Sequence, residues 1–124
     1  MINGNQKWRA NLGREMRRGF LSVLLLWILK KRGEPMYGYE IIQTIAKTTQ
    51  GQWVPKAGTI YPILRRLESK GFVKSEWSSK SAGPSRRYYR ITPEGREAER
   101  RILLEWKRHM SGFRDFLHDL LEVD

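Results

Sequence analysis

Cysteine is absent from the 124 residues, which excludes a disulfide framework, a thiolate zinc site and a cysteine nucleophile. Acidic residues are scarce beside basic ones: 13 Asp and Glu face 24 Lys and Arg, a formal net charge of +11. Such a surplus attracts a polyanion and repels cations, without saying which polyanion. Long hydrophobic runs are missing too. The most apolar stretch, residues 20–29, is broken by Ser22, and at ten residues it falls short of the roughly 18 that a membrane-crossing helix needs. No small-residue cleavage site precedes that run, so no secretory signal is read. With 40% hydrophobic and 11% aromatic residues, the chain is too apolar for disorder and long enough to bury a core. The expectation is one soluble, cytoplasmic domain, with or without an appendage, and no membrane association.

Chemistry-bearing groups are sparse as well. His109 and His118 stand at helical offsets from Glu105 and Asp115, but solvated helix histidines explain them better than a metal site. No Ser/His/Asp grouping, carboxylate pair or phosphate-cradling glycine loop stands out. Neither an enzyme, nor a cofactor, nor a bound metal is expected.

What is present is charge, unevenly placed. Residues 1–32 hold eight basic residues and one acid, and residues 58–92 hold eight and two. Residues 33–57 balance, and residues 93–124 are net −2. A generally adhesive basic protein has no reason to spare its last quarter.

The order of elements follows from periodicity. Residues 1–13 are polar and read as an arm or a frayed extra turn. Residues 14–32 read as a first helix, apolar nearly all round, which therefore needs cover on more than one side. Gly33, Glu34 and Pro35 stop it. Residues 36–47 read as a second helix with Ile41, Ile42 and Ile45 inward. Residues 58–70 read as a third, with Ile60, Ile63, Leu64 and Leu67 inward and Thr59, Tyr61, Pro62, Arg65, Arg66 and Ser69 outward. Pro62 places that helix start near Gly58 or Thr59, and Gly71 ends it. Residues 72–78 and 86–92 read as the strands of a hairpin with a polar tip. Thr92 and Pro93 then cap a long helix over 93–121. Its stripe runs through Ala98, Ile102, Trp106, Met110, Phe113, Leu117 and Leu120. At ~1.5 Å per residue it is roughly 40 Å long, longer than a small domain is wide, so a second chain is needed to cover it.

Three short helices and a hairpin are the order of a winged helix-turn-helix: a mainly α fold with a small β-hairpin, here followed by a dimerisation helix. The domain reading is an arm over 1–13, a DNA-binding domain over 14–92 and a dimerisation helix over 93–124. The gap between the second and third helices exceeds a minimal helix-turn-helix, and a small strand at Trp53 and Val54, pairing with the hairpin, accounts for it. In such a fold arginines neutralise phosphates and fork onto guanine edges. Thr59, Tyr61 and Arg65 stand where base contacts are made, and Tyr37 and Tyr39 begin the second helix, where a phosphate is held. Tyr61 packing on the second helix is the competing reading. Tyr89 and Ile91 read as core, and Trp8, Trp27, Trp53 and Trp77 as packing residues.

The blocks Tyr37-Gly38-Tyr39-Glu40-Ile41, Gly58-Thr59-Ile60-Tyr61-Pro62-Ile63-Leu64-Arg65-Arg66-Leu67-Glu68 and Arg86-Arg87-Tyr88-Tyr89-Arg90-Ile91-Thr92-Pro93-Glu94-Gly95 resemble the PadR family of transcriptional regulators. Together they span about residues 18–97. The resemblance implies a dimeric, sequence-specific DNA-binding repressor of the short subfamily, with a single C-terminal helix. It carries Tyr39 over as a phosphate contact, Thr59, Tyr61 and Arg65 as the recognition helix, and Gly83, Arg86 and Arg87 as the wing. Lys56 departs from the small capping residue the pattern favours and adds a phosphate contact instead. The full DNA-facing set is Tyr37, Tyr39, Lys56, Thr59, Tyr61, Pro62, Arg65, Arg66, Lys80, Gly83, Arg86 and Arg87. Phe20, Leu24, Trp27, Ile102, Trp106, Met110, Phe113, Leu117 and Leu120 form the dimer interface. Some short members stack a flat aromatic effector on a tryptophan of the last helix, which assigns Trp106, with Met110, to an effector site. The expected partners are a pseudo-palindromic double-stranded operator, a second copy of the chain and an aromatic small molecule. The rival readings are a small-molecule sensor of the multidrug type and an RNA-binding protein; single-stranded RNA readers need a broader aromatic sheet than a hairpin offers.

Overall fold

The computed structural model describes residues 4–78 and 84–121. Its elements are α1 (Gly4–Arg32), β1 (Met36–Tyr37), α2 (Gly38–Thr48), α3 (Ala57–Ser69), β2 (Val73–Ser78), β3 (Arg86–Ile91) and α4 (Pro93–Leu121). The three strands form one antiparallel sheet in the order β1-β3-β2.

The core is built by three helical stripes closing on one face of that sheet. Leu25, Leu26 and Leu29 of α1, Ile41 and Ile45 of α2, and Ile60 and Leu64 of α3 are buried with Met36, Val73, Tyr89 and Ile91. Each such side chain contributes about 1.5–3 kcal/mol of burial. Leu24 and Trp27, assigned to a dimer interface, are half-buried and pack on this core. Most of the cover that α1 needs therefore comes from its own chain.

α1 begins at Gly4, ten residues before the start read from the apolar pattern. Apolar periodicity reports burial rather than helix, and between Gln6 and Met16 there is no proline and one glycine, Gly13, which costs only about 1 kcal/mol in a helix. At the other end Gly33, at φ +71°, turns the chain, and its N–H still bonds the Leu29 carbonyl.

The third strand is not at Trp53 and Val54. It is Met36–Tyr37, paired with Tyr89 and Tyr88, so α2 starts two residues later than read. A two-residue strand carries no periodic signal, and fully buried Met36 fits either a helix or a sheet. The connection from α2 to α3 is instead folded around Thr49, whose hydroxyl donates to the Ile45 carbonyl at 2.8 Å and accepts the Trp53 N–H at 3.0 Å. That clamp lays Trp53 against the core.

α3 starts at Ala57, so Pro62 is its sixth residue and lies in the second turn rather than the first. Its ring removes the N–H that would bond the Gly58 carbonyl, on a face where both residues are exposed to water. Lys56 supplies no side-chain cap; its carbonyl accepts the N–H groups of Thr59 and Ile60. The other end follows the reading. Gly71 sits at φ +79°, and Phe72 and Gly71 return their N–H groups to Leu67 and Glu68, which satisfies the last carbonyls.

α4 is pinned at its start and loose afterwards. The Thr92 hydroxyl accepts the Gly95 N–H at 3.0 Å and donates to the Gly71 carbonyl. Gly95 is obligatory, because a Cβ there would collide with the Phe72 carbonyl. One turn on, fully buried Glu99 pairs with Lys30 of α1 at 2.7 Å. Beyond Trp106 every described residue of the helix is exposed. Among the described residues, no helix is long and apolar enough to cross a membrane.

Candidate nucleic-acid interface

α3 divides its residues cleanly. Ile60, Ile63, Leu64 and Leu67 are buried, leaving Thr59, Pro62, Arg65 and Arg66 on an exposed face. Tyr61 also reaches solvent, but its hydroxyl end lies on Gly38 at the start of α2, where a Cβ would collide with it. That contact fixes how α2 and α3 meet, as the packing reading anticipated, and leaves the ring edge outward.

Between α3 and the hairpin lies a cleft of about 540 Å³ lined by Tyr37, Tyr61, Arg65, Trp77, Arg86 and Arg87, among others. Its aromatic floor orders the cations. Arg86 lies over the Tyr37 ring at 4.5 Å, within the range of a cation–π contact. Tyr37 in turn stacks near Tyr39 and meets Tyr88 edge-on, at 6.4 and 5.6 Å between ring centres.

A second network ties the hairpin to α3. Glu68 accepts the Ser75 hydroxyl at 2.7 Å and the Ser75 N–H at 3.0 Å. Arg87 donates from Nε to the Ser75 hydroxyl at 2.7 Å and reaches Glu68 at 3.4 Å. The Ser75 hydroxyl bond, followed by its N–H and Arg87, outweighs desolvation and holds the Glu68 carboxyl below its usual value. Trp77, read as a packing residue, is 67% exposed and lies beside Arg87 at 5.8 Å. Its register opposite Arg87 puts it on the same sheet face as Tyr89 and Ile91, but at the far end of β2, beyond the reach of the core.

The two acids of residues 58–92 are thus both used against hairpin arginines, Glu68 with Arg87 and Glu76 with Arg90. Arg65, Arg66 and Arg86 make no ion pair among the described residues, so the surplus concentrates on the outer face of α3 and the adjoining strand. Arg87, assigned to a direct contact, also braces the hairpin by bonding Ser75 and Glu68. The Glu68–Ser75–Arg87 link escaped the sequence reading. Two acids in an otherwise basic segment were its only trace. Lys56 is exposed at the mouth of α3, and Tyr39 is exposed on α2. Lys80 and Gly83 lie outside the described residues.

The far end of the molecule is apolar instead. Phe20, Met110, Phe113, Leu117 and Leu120 are exposed, as is Phe116, while Ile102 is half-buried. Trp106 is half-buried and meets Phe20 edge-on at 5.2 Å, and Phe20 meets Trp53 at 6.2 Å.

A family model, the transcriptional regulator PadR-like family, matches residues 25–101. The chain belongs to the PadR-like family. A PadR-like chain of this kind is a DNA-binding regulator of transcription rather than an enzyme. Among its relatives is an uncharacterised protein X of Lysinibacillus sphaericus, 38% identical over 90 residues, covering 72% of this chain and 80% of that one. The transcriptional regulator Rv3488 of Mycobacterium tuberculosis is 47% identical over 58 residues, which are 44% of this chain and 53% of the regulator. A solved transcriptional regulator from Clostridium thermocellum superimposes with a TM-score of 0.72 at 29% identity, covering 94% of this chain and 98% of the other. The PadR match ends within the first turns of α4, at the point where that helix begins to leave the core.

Proposed function

We propose that this protein is a homodimeric repressor that binds a pseudo-palindromic operator and is released by a planar aromatic effector. The observation that carries the DNA-binding part is the exposed face of α3, where Arg65 and Arg66 have no internal counter-ion beside the aromatic-backed Arg86. In this reading α3 enters the major groove, with Thr59, Pro62 and Arg65 toward the base edges. Arg66, Lys56, Tyr39, Tyr61 and Lys80 meet phosphates, and Gly83 lets the wing tip approach the duplex. Arg86 meets the backbone, and Arg87 holds the wing at the right distance. The apolar stripe of α4 packs on the same stripe of a second copy, with Phe20 at its edge. Two α3 helices then face half-sites about one turn (~34 Å) apart.

The effector part rests on the edge-on contact of Trp106 with Phe20. A flat ring stacked on Trp106, with Met110 beside it, competes with that contact. It changes DNA affinity only if it prefers one arrangement of the dimer. Trp fluorescence quenched by planar cationic compounds, and no longer quenched in Trp106→Ala, supports this part. Absence of quenching across a varied aromatic panel removes it.

Binding to a duplex from upstream of the protein's own gene and to a random duplex, at moderate salt, tests the whole. The wild type discriminates between them. Arg65→Ala loses about 1–3 kcal/mol of that discrimination, the worth of a forked base contact. Lys80→Ala weakens both duplexes alike and lowers the salt slope by about 1. Equal wild-type affinity for the two duplexes overturns the proposal.

A further inference from the structure

The basic N-terminal quarter has no part in the interface described so far, although it holds eight basic residues and one acid in residues 1–32. Its placement is specific. The stripe of α1 that reaches the core through Leu21, Leu25 and Ile28 continues backwards along the helix as Arg18, Arg17 and Arg14. Steps of three and four hold it to one face. Where the core stops, the same face becomes arginine.

That face does not point into open solvent. A groove of about 600 Å³ runs between it, the α2–α3 connection and the first turns of α3. Arg14, Arg17, Arg18 and Arg66 all line it, with Trp53 and Thr59 in the opposite wall and no acid among the described lining residues. The N-terminal end of α3, which lacks a side-chain cap, opens into the same groove through Gly58, adding the positive end of a helix dipole to the four guanidiniums.

α3 therefore has a basic cleft on each side. Arg65, Arg86 and Arg87 line the one toward the hairpin, and the α1 arginines with Arg66 line the other. A helix is about 10–12 Å across with its side chains, and the major groove is about 12 Å wide. A helix seated there has a phosphate strand on both flanks.

We propose that the Arg14–Arg17–Arg18 face of α1, with Arg66, clamps the DNA backbone on the flank of the recognition helix opposite the wing. The occupant is duplex phosphate, because the groove combines one sign of charge with continuity to the α3 face. This rests on α3 entering DNA as proposed above. It adds a second backbone clamp, which sets the tilt of α3 and raises affinity without reading bases.

The test compares Arg17→Ala/Arg18→Ala with Arg17→Lys/Arg18→Lys in the full chain. Binding to the upstream duplex and to a random duplex of equal length is measured over a salt series, with sedimentation reporting the oligomeric state. The Ala pair should weaken both duplexes alike and flatten the salt dependence by close to 2 per protomer, at about 0.9 per phosphate. The Lys pair, which keeps the point charges, should retain the wild-type slope. An unchanged slope in the Ala pair overturns the clamp, as does a loss confined to the upstream duplex. So does a changed sedimentation coefficient with DNA binding intact, which would assign the face to a second copy. In each of these cases wild-type discrimination persists, and the recognition-helix reading stands. Failure of the wild type to discriminate overturns both.

Discussion

The first turns of α4 and its distal half belong to one helix and one apolar stripe, yet they are built in opposite ways. Near Pro93 the special residues find partners inside the chain, except that the buried Oε1 of Glu99 has no hydrogen bond among the described residues. Thr92 caps, Gly95 makes room for the Phe72 carbonyl, and Glu99 is buried against Lys30. Past Trp106 the stripe goes on through Met110, Phe113, Leu117 and Leu120, all of them exposed among the described residues. Exposed apolar patches of this kind mark interaction surfaces. The contrast separates what one chain completes alone from what it leaves for a partner. The same division runs through the charge: Arg65, Arg66 and Arg86, which make no ion pair among the described residues, lie on and beside α3, and the helix with the exposed apolar stripe lies in the segment that is net −2.

The sharpest way to break this comparison is a paired substitution. Phe113→Asp/Leu117→Asp should halve the sedimenting mass and abolish tight operator binding while leaving the winged core folded, as read by denaturant unfolding of the monomer. Leu64→Ala, in the core, should do the reverse. It costs about 2–5 kcal/mol of folding stability and leaves the mass at low temperature unchanged. If the Asp pair unfolds the core, or leaves the mass untouched, the division of α4 into two parts is wrong.

A smaller effect sharpens the other side, the coupling of wing to α3. Glu68 has its carboxyl held below the usual 4.5, chiefly by the Ser75 hydroxyl. A carboxyl with a depressed folded value contributes stability that is present above its unfolded value and lost as pH falls through the folded one. The site is partly open to solvent, so the contribution is small, about 1 kcal/mol or less. Glu68→Gln should lower the unfolding midpoint slightly at pH 7, and the gap to wild type should close as pH falls below the usual carboxylate range. A gap independent of pH would mean that the Ser75–Arg87 link adds nothing to holding the wing.

Much of this was legible in the sequence because helices announce themselves by period and by caps. Ile60, Ile63, Leu64 and Leu67 gave the buried face of α3, Gly71 its end, and Thr92-Pro93 the start of α4. The three blocks carried enough side-chain identity to indicate the family. What was not legible depended on pairs distant along the chain. Met36–Tyr37 is a strand only because β3 lies beside it. Trp53 is β-prone, but Thr49 bonds its N–H first. Glu99 carries no signal of its own in the sequence, and only the approach of α1 buries it against Lys30, 69 positions away. Within the interface, the α3 cations could be read from helical spacing. The aromatic floor under Arg86 needed the register of β1 on β3, and the bracing role of Arg87 that of β2 on β3.

The account turns on two copies presenting two α3 helices to one duplex. Mapping the bases protected by the wild-type protein upstream of its own gene tests that most directly. Two protected, inverted half-sites centred about one helical turn (~34 Å) apart are the predicted result. A single unpaired footprint, or even protection along the whole fragment, would contradict it.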